Sequence, residues 1–107
     1  MKLTNKTPNI AKLRPTSNSN YELDYGHIET NGDSNVTLLF ETSAKNIQTK
    51  VSCGGCTKAT NKKITTNQYE IYIYYKTSLL GRINKYVYIE FEGKKITIKL
   101  TGKVGAK

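Results

Sequence analysis

The sequence predicts an all-β protein, an antiparallel β-sandwich of about seven strands, and three observations predict it. Apolar residues alternate with polar ones through several short stretches, the period of a half-buried strand. Glycine, asparagine and lysine-rich turn segments punctuate those stretches at intervals of roughly 8–12 residues, the spacing of short strands joined by turns. No stretch keeps a helical period beyond a turn, and none repeats. At 107 residues the chain is one domain with room for a modest core.

Residues 1–19 come first, rich in Asn, Thr, Ser and Lys. Pro8 and Pro15 stop a regular helix there, so the segment reads as a basic extended arm, disordered alone and ordered on a partner. Residues 20–104 carry the sandwich, and 105–107 a tail. Val36, Leu38 and Phe40 alternate with Thr37, Leu39 and Glu41 as one strand. Ile47, Thr49 and Val51 share one side of the next. Residues 57–66 are polar and Lys-rich, with room for a short edge strand and turns.

The strongest strand runs from Tyr69 to Lys76, with Tyr69, Ile71, Ile73 and Tyr75 inward and Tyr72 and Tyr74 outward. Past Gly81, Val87, Ile89 and Phe91 point inward, and Tyr86, Tyr88 and Glu90 outward. Glu92-Gly93-Lys94-Lys95 signals a tight hairpin. Ile96-Thr97-Ile98-Lys99-Leu100 alternates as the last strand, after which Gly102 and Gly105 are expected to loosen the chain.

The net charge is +9, from 17 Lys plus Arg against 8 Asp plus Glu. Such an excess biases a protein towards anionic partners: nucleic acid, an acidic protein surface or anionic lipid. Both ends are basic: Lys2, Lys6, Lys12 and Arg14 near the start, and Lys94, Lys95, Lys99, Lys103 and Lys107 near the end. The opening residues have no apolar secretory core, and no apolar run approaches the ~20 residues of a membrane span. The expectation is a protein made in a cytoplasm, with no membrane partner.

Cys53 and Cys56 form a Cys-x-x-Cys around Gly54 and Gly55. One such pair supplies half the ligands of a structural zinc site, and the sole histidine, His27, is distant in sequence, so no metal is expected. A redox-active pair needs the first thiol at a helix N-terminus, which nothing here provides. The pair reads as small apolar side chains at a tight inter-strand turn whose glycines adopt positive φ. A reversible disulfide is the alternative.

No nucleophile elbow, phosphate-cradling glycine loop or acid–base pair appears, so neither an enzyme nor a cofactor is expected. Eight tyrosines in this length is high. Tyr72, Tyr74, Tyr86 and Tyr88 would form one amphipathic aromatic face if their strands were neighbours. Such a face suits protein contacts, or simply stabilises an exposed sheet by cross-strand pairing. Nucleic acid is the second partner class, with strand aromatics as stacking platforms. Against it, the lysines sit at the termini and around Lys58, Lys62 and Lys63, away from the tyrosines in sequence.

Three elements stand in a familiar order: Asp24-Tyr25-Gly26-His27-Ile28, then Ser52-Cys53-Gly54-Gly55-Cys56-Thr57, then the closing strands ending in Gly102-Lys103-Val104. Over about residues 21–104 they resemble an Ig-like family of unknown function whose hallmark is a Ser-Cys-Gly-Cys turn. Here that turn carries one extra glycine, and Glu41-Thr42-Ser43-Ala44-Lys45 replaces the family's Asn-Thr-Gly turn. The family's members are commonly exported, whereas this sequence shows no export signal.

As a small, unexported, Asn- and Lys-rich module it looks like an auxiliary or decoration capsid protein of tailed bacteriophages, crAss-like phages among them. The resemblance implies many copies on a virion, made in a host cytoplasm. The expected contacts are the arm (Lys2, Lys6, Ile10, Lys12, Leu13 and Arg14) threaded between capsid subunits, with the tyrosine face beside it. The alternatives are a module binding single-stranded nucleic acid or a genome, and a cellular Ig-like accessory domain of export or envelope assembly.

Overall fold

The computed structural model describes residues 2–106; Met1 of the expected arm and Lys107 of the expected tail lie outside them. Nine strands account for the regular structure of those residues: β1 (Lys2–Asn5), β2 (Lys12–Ser17), β3 (Asn20–Glu29), β4 (Val36–Glu41), β5 (Gln48–Val51), β6 (Thr57–Thr65), β7 (Gln68–Tyr75), β8 (Gly81–Phe91) and β9 (Lys94–Gly105). They form two sheets, in the orders β1-β4-β7-β6 and β2-β3-β9-β8-β5. Strands β1, β4, β7 and β6 follow the A-B-E-D order of immunoglobulin sandwiches, and β5, β8 and β9 the C-F-G order. The two strands beyond the expected seven are β2 and β3, inserted between the first and second positions of that plan.

The alternation read from the sequence becomes the core. Val36, Leu38 and Phe40 of β4, Tyr69, Ile71, Ile73 and Tyr75 of β7, Val87, Ile89 and Phe91 of β8, and Ile96, Ile98 and Leu100 of β9 are all buried. Each such aliphatic or aromatic side chain contributes about 1.5–3 kcal/mol by leaving water. The β8–β9 hairpin closes on Glu92 and Gly93, with φ values of 48° and 73°. Positive φ at both central residues gives the turn the twist of its strands.

Four expectations are corrected. Residues 2–17 do not form a free arm: β1 pairs with β4 in one sheet, and β2 with β3 in the other. Leu3, Ile10 and Leu13 pack against the core and Ala11 is buried in it, so leaving the body would return apolar surface to water. The sandwich is not wholly antiparallel, because β3 runs parallel to β9. Gly102 and Gly105 do not loosen a tail; both lie within β9, which runs on to Gly105. Residues 57–65 are a full nine-residue edge strand rather than a short one.

The β3–β9 pairing is interrupted between Asp24 and His27, where the register shifts. Gly26 sits there with φ 63°, and its N–H bonds the Asp24 carboxylate at 2.8 Å. Gly102 faces it with φ 127°; a Cβ on Gly102 would lie 2.7 Å from the Gly26 carbonyl oxygen. Only glycine fits so close an approach.

Candidate functional site

The outer face of the five-stranded sheet gathers residues that are scattered in sequence. Strand register arranges them in rows. Arg82, Lys103 and His27 form one row, and Asn84, Thr101, Asp24 and Lys12 the next. Tyr86, Lys99, Glu22 and Arg14 follow, then Lys50, Tyr88, Thr97 and Asn20. The Tyr86 and Tyr88 rings stack with centroids 6.2 Å apart and planes 8° from parallel. The Lys95 ammonium lies 5.1 Å from the Tyr88 ring centroid, within cation–π range. Lys50 pairs with Glu90 at 2.8 Å, and Lys99 stands opposite Tyr86.

Nearer β2 the charges are mutually satisfied. Arg14 Nε donates to the Glu22 carboxylate at 2.8 Å, and the Thr101 hydroxyl donates to its other oxygen at 2.8 Å. The Thr101 hydrogen bond, then that of Arg14, hold the Glu22 carboxyl below its usual range.

The four outward tyrosines do not share a face. Strand β7 belongs to the four-stranded sheet and β8 to the five-stranded one, so Tyr72 and Tyr74 lie opposite Tyr86 and Tyr88 across the sandwich. The expected single aromatic face is therefore two. On the first sheet, Tyr72 and Tyr74 flank a shallow groove of about 400 Å³ with Thr37, Lys58 and Thr60. The Tyr72 hydroxyl donates to Glu70 at 2.6 Å, and Lys6 bonds the same carboxylate. Lys6, then Tyr72, lower the Glu70 pKa, and the carboxylate in turn raises that of Tyr72.

These contacts decide the fate of the six arm residues. Ile10 and Leu13 pack on the protein's own core. Lys6 is bound to Glu70 and Arg14 to Glu22. Lys2 and Lys12 are exposed, one on each sheet. A partner therefore meets this segment as part of a folded face, because its strand hydrogen bonds are already made.

Cys53 and Cys56 are joined as a disulfide, the alternative reading of that pair, with Cα atoms 5.3 Å apart. The Cys53 carbonyl accepts from the N–H groups of Cys56 and Thr57 at 3.2 and 3.0 Å, which makes the turn. Neither Gly54 nor Gly55 is among the positive-φ glycines, and a Cβ on either would meet nothing within 4 Å. The expected left-handed glycines are thus corrected: the turn needs neither. Among the described residues no three His, Cys, Asp or Glu side chains gather as a metal site.

Sequence reading missed the neighbourhood of Lys95 and Lys99 with Tyr88 and Tyr86. The signal was the Glu92-Gly93 hairpin, which folds the basic last strand back along β8 and fixes its register. Comparison with protein-family models, curated proteins and solved structures gives no match.

Proposed function

We propose that the protein is a non-enzymatic structural module of a phage particle, an auxiliary protein that decorates the capsid in many copies. The outer face of the five-stranded sheet is its docking surface. The observation that carries this reading is the stacked Tyr86–Tyr88 pair set beside Lys50, Lys95 and Lys99. Tyrosines give contact area at low side-chain entropy cost, and surrounding lysines steer the module to an acidic shell. The virion setting is drawn by analogy of fold: a small, Asn- and Lys-rich Ig-like sandwich looks like the decoration modules of tailed phages. Docking runs through the folded face, since the N-terminal strands are occupied within the sandwich.

Co-sedimentation with assembled capsids at low and physiological salt tests this. Stoichiometric binding that survives salt and is lost in the Tyr86→Ala/Tyr88→Ala double variant is the expected result. Equal binding by the double variant, or none by the wild type, would overturn it. One observation favours a second reading: lysines do lie beside strand tyrosines, the combination that binds single strands of nucleic acid. Binding to single-stranded DNA alone, lost steeply as salt rises, would select that reading.

A further inference from the structure

The row Arg82–Lys103–His27 lies at the far end of the same face, two strand residues past Asn84 and Thr101. It brings three basic side chains from three adjacent strands into one register, with no carboxylate among them. Like charges set directly opposite each other on neighbouring strands repel. Among the described residues, neither Arg82 nor Lys103 has a carboxylate within salt-bridge distance; the ion pairs formed are Lys6–Glu70, Arg14–Glu22, Arg14–Asp24 and Lys50–Glu90. The nearby acids are engaged elsewhere: Glu22 by Arg14 and Thr101, and Asp24 by the Gly26 N–H and Arg14.

The three side chains line an open depression of about 660 Å³. Its lining includes Gly26 and Gly102 at the register shift, Lys99, and the Glu22 and Asp24 carboxylates that Arg14 holds on the β2 side. Neither glycine carries a side chain to fill the space, and Gly102 cannot acquire one without meeting the Gly26 carbonyl. The hollow is thus kept open by the strand geometry that places the bases around it.

We infer that this depression is an oxyanion site, in which Arg82, Lys103 and His27 take a phosphate group. The arginine supplies a planar fork, the lysine a point charge and the imidazole an N–H donor. Donors arriving from three strands match an anion with oxygens on several sides better than a flat carboxylate. The phosphate belongs either to a free phosphate or to the backbone of a nucleic acid. The site shares the outer face and Lys99 with the proposed capsid contact, but its three anion ligands are not among the tyrosines and lysines that carry that contact. Tyr86→Ala/Tyr88→Ala and Arg82→Gln/Lys103→Gln therefore test the two separately.

Amide NMR titration of the labelled full-length protein tests the site, with sodium phosphate against sodium chloride at matched ionic strength. Saturable shifts at Gly26, His27, Arg82, Gly102 and Lys103 under phosphate alone are expected. The Arg82→Gln/Lys103→Gln double variant should weaken binding by about tenfold or more, its spectrum reporting whether the fold is kept. Lys12→Gln, on the same sheet but outside the hollow, should bind as the wild type does. A tetrathymidylate arm separates the sources: tighter, strongly salt-dependent binding at the same residues marks a nucleic-acid backbone, and no gain over phosphate marks a free phosphate. Equal, unsaturating shifts in both salts, or unchanged affinity in the folded double variant, would overturn the site.

Discussion

Phe40 of β4 and Phe91 of β8 meet edge to face across the sandwich, with ring centroids 5.3 Å apart and planes at 64°. Immunoglobulin domains join the same two strand positions of the plan with a disulfide. Here an aromatic pair makes the inter-sheet contact, and the only disulfide closes a surface turn instead. Edge-to-face geometry adds about 0.5–1.5 kcal/mol beyond the area the rings bury.

Replacing Phe40 with alanine should therefore cost about 3–5 kcal/mol, since the side chain is fully buried and leaves a cavity between sheets. Urea denaturation of the variant measures it. A loss under 1 kcal/mol would mean that the contact does not tie the sheets.

The glycines of the cysteine turn and of the β3–β9 register shift should behave oppositely. Gly54→Ala and Gly55→Ala are expected to change stability by less than about 0.5 kcal/mol, because nothing occupies the space a methyl would enter. Gly102→Ala combines a left-handed backbone with a 2.7 Å approach to the Gly26 carbonyl, and should be strongly destabilising. Thermal melts of the three variants side by side decide it.

Removing residues 1–19 should not yield a stable body with a lost tail. The truncation uncovers the edges of β4 and β3 and the apolar surface beneath Leu3, Ala11 and Leu13. A fall in Tm of ~15 °C or more, or loss of a cooperative transition, is expected by circular dichroism. A melt matching that of the full chain would show the two strands to be dispensable.

The Thr57 hydroxyl is buried and is the one side-chain polar atom so found without a hydrogen-bond partner among the described residues. Thr57→Val keeps the shape and the β-branch and removes an orphaned group. Stability should rise by about 1 kcal/mol, read from chemical denaturation; a fall would place an unseen partner at that oxygen.

Tyr25 links pH to folding on the alkaline side. Burial, then the Asp33 charge, push its phenol well above the ordinary value, and its hydroxyl donates to the Ser34 carbonyl at 2.9 Å. A raised folded pKa gives stability that is complete below about pH 10 and drains away above it, as only the unfolded phenol ionises. Between pH 8 and pH 11 the wild type should lose stability faster than Tyr25→Phe. Parallel slopes in denaturation midpoints would remove Tyr25 from the account.

What was legible in the sequence was local. Val36 to Glu41, Tyr69 to Tyr75 and Val87 to Phe91 declare their inward faces by alternation, and Glu92-Gly93 declares its turn, because each signal lies within a few residues. Strands β1 and β2 were hidden because edge strands bury little; Lys2, Thr4, Lys12 and Arg14 carry polar side chains like those of a loose arm. Assignment of β7 and β8 to different sheets is a long-range fact, and with it went the picture of four tyrosines on one face. The parallel β3–β9 pair left no local trace either. The lysines beside Tyr86 and Tyr88 became visible only once β9 had a register.

Strand β9, the ninth in chain order, occupies the middle of its sheet, between β3 and β8. A nascent chain that has not yet released Lys94–Gly105 from the ribosome holds β3 with one flank unpaired. Truncated translation products stopping before residue 94 would expose that flank along with the apolar surface β9 covers, a template for intermolecular pairing. The five-stranded sheet thus closes only after β9 has emerged, and quality control of chains cut short before it has an open strand to grip.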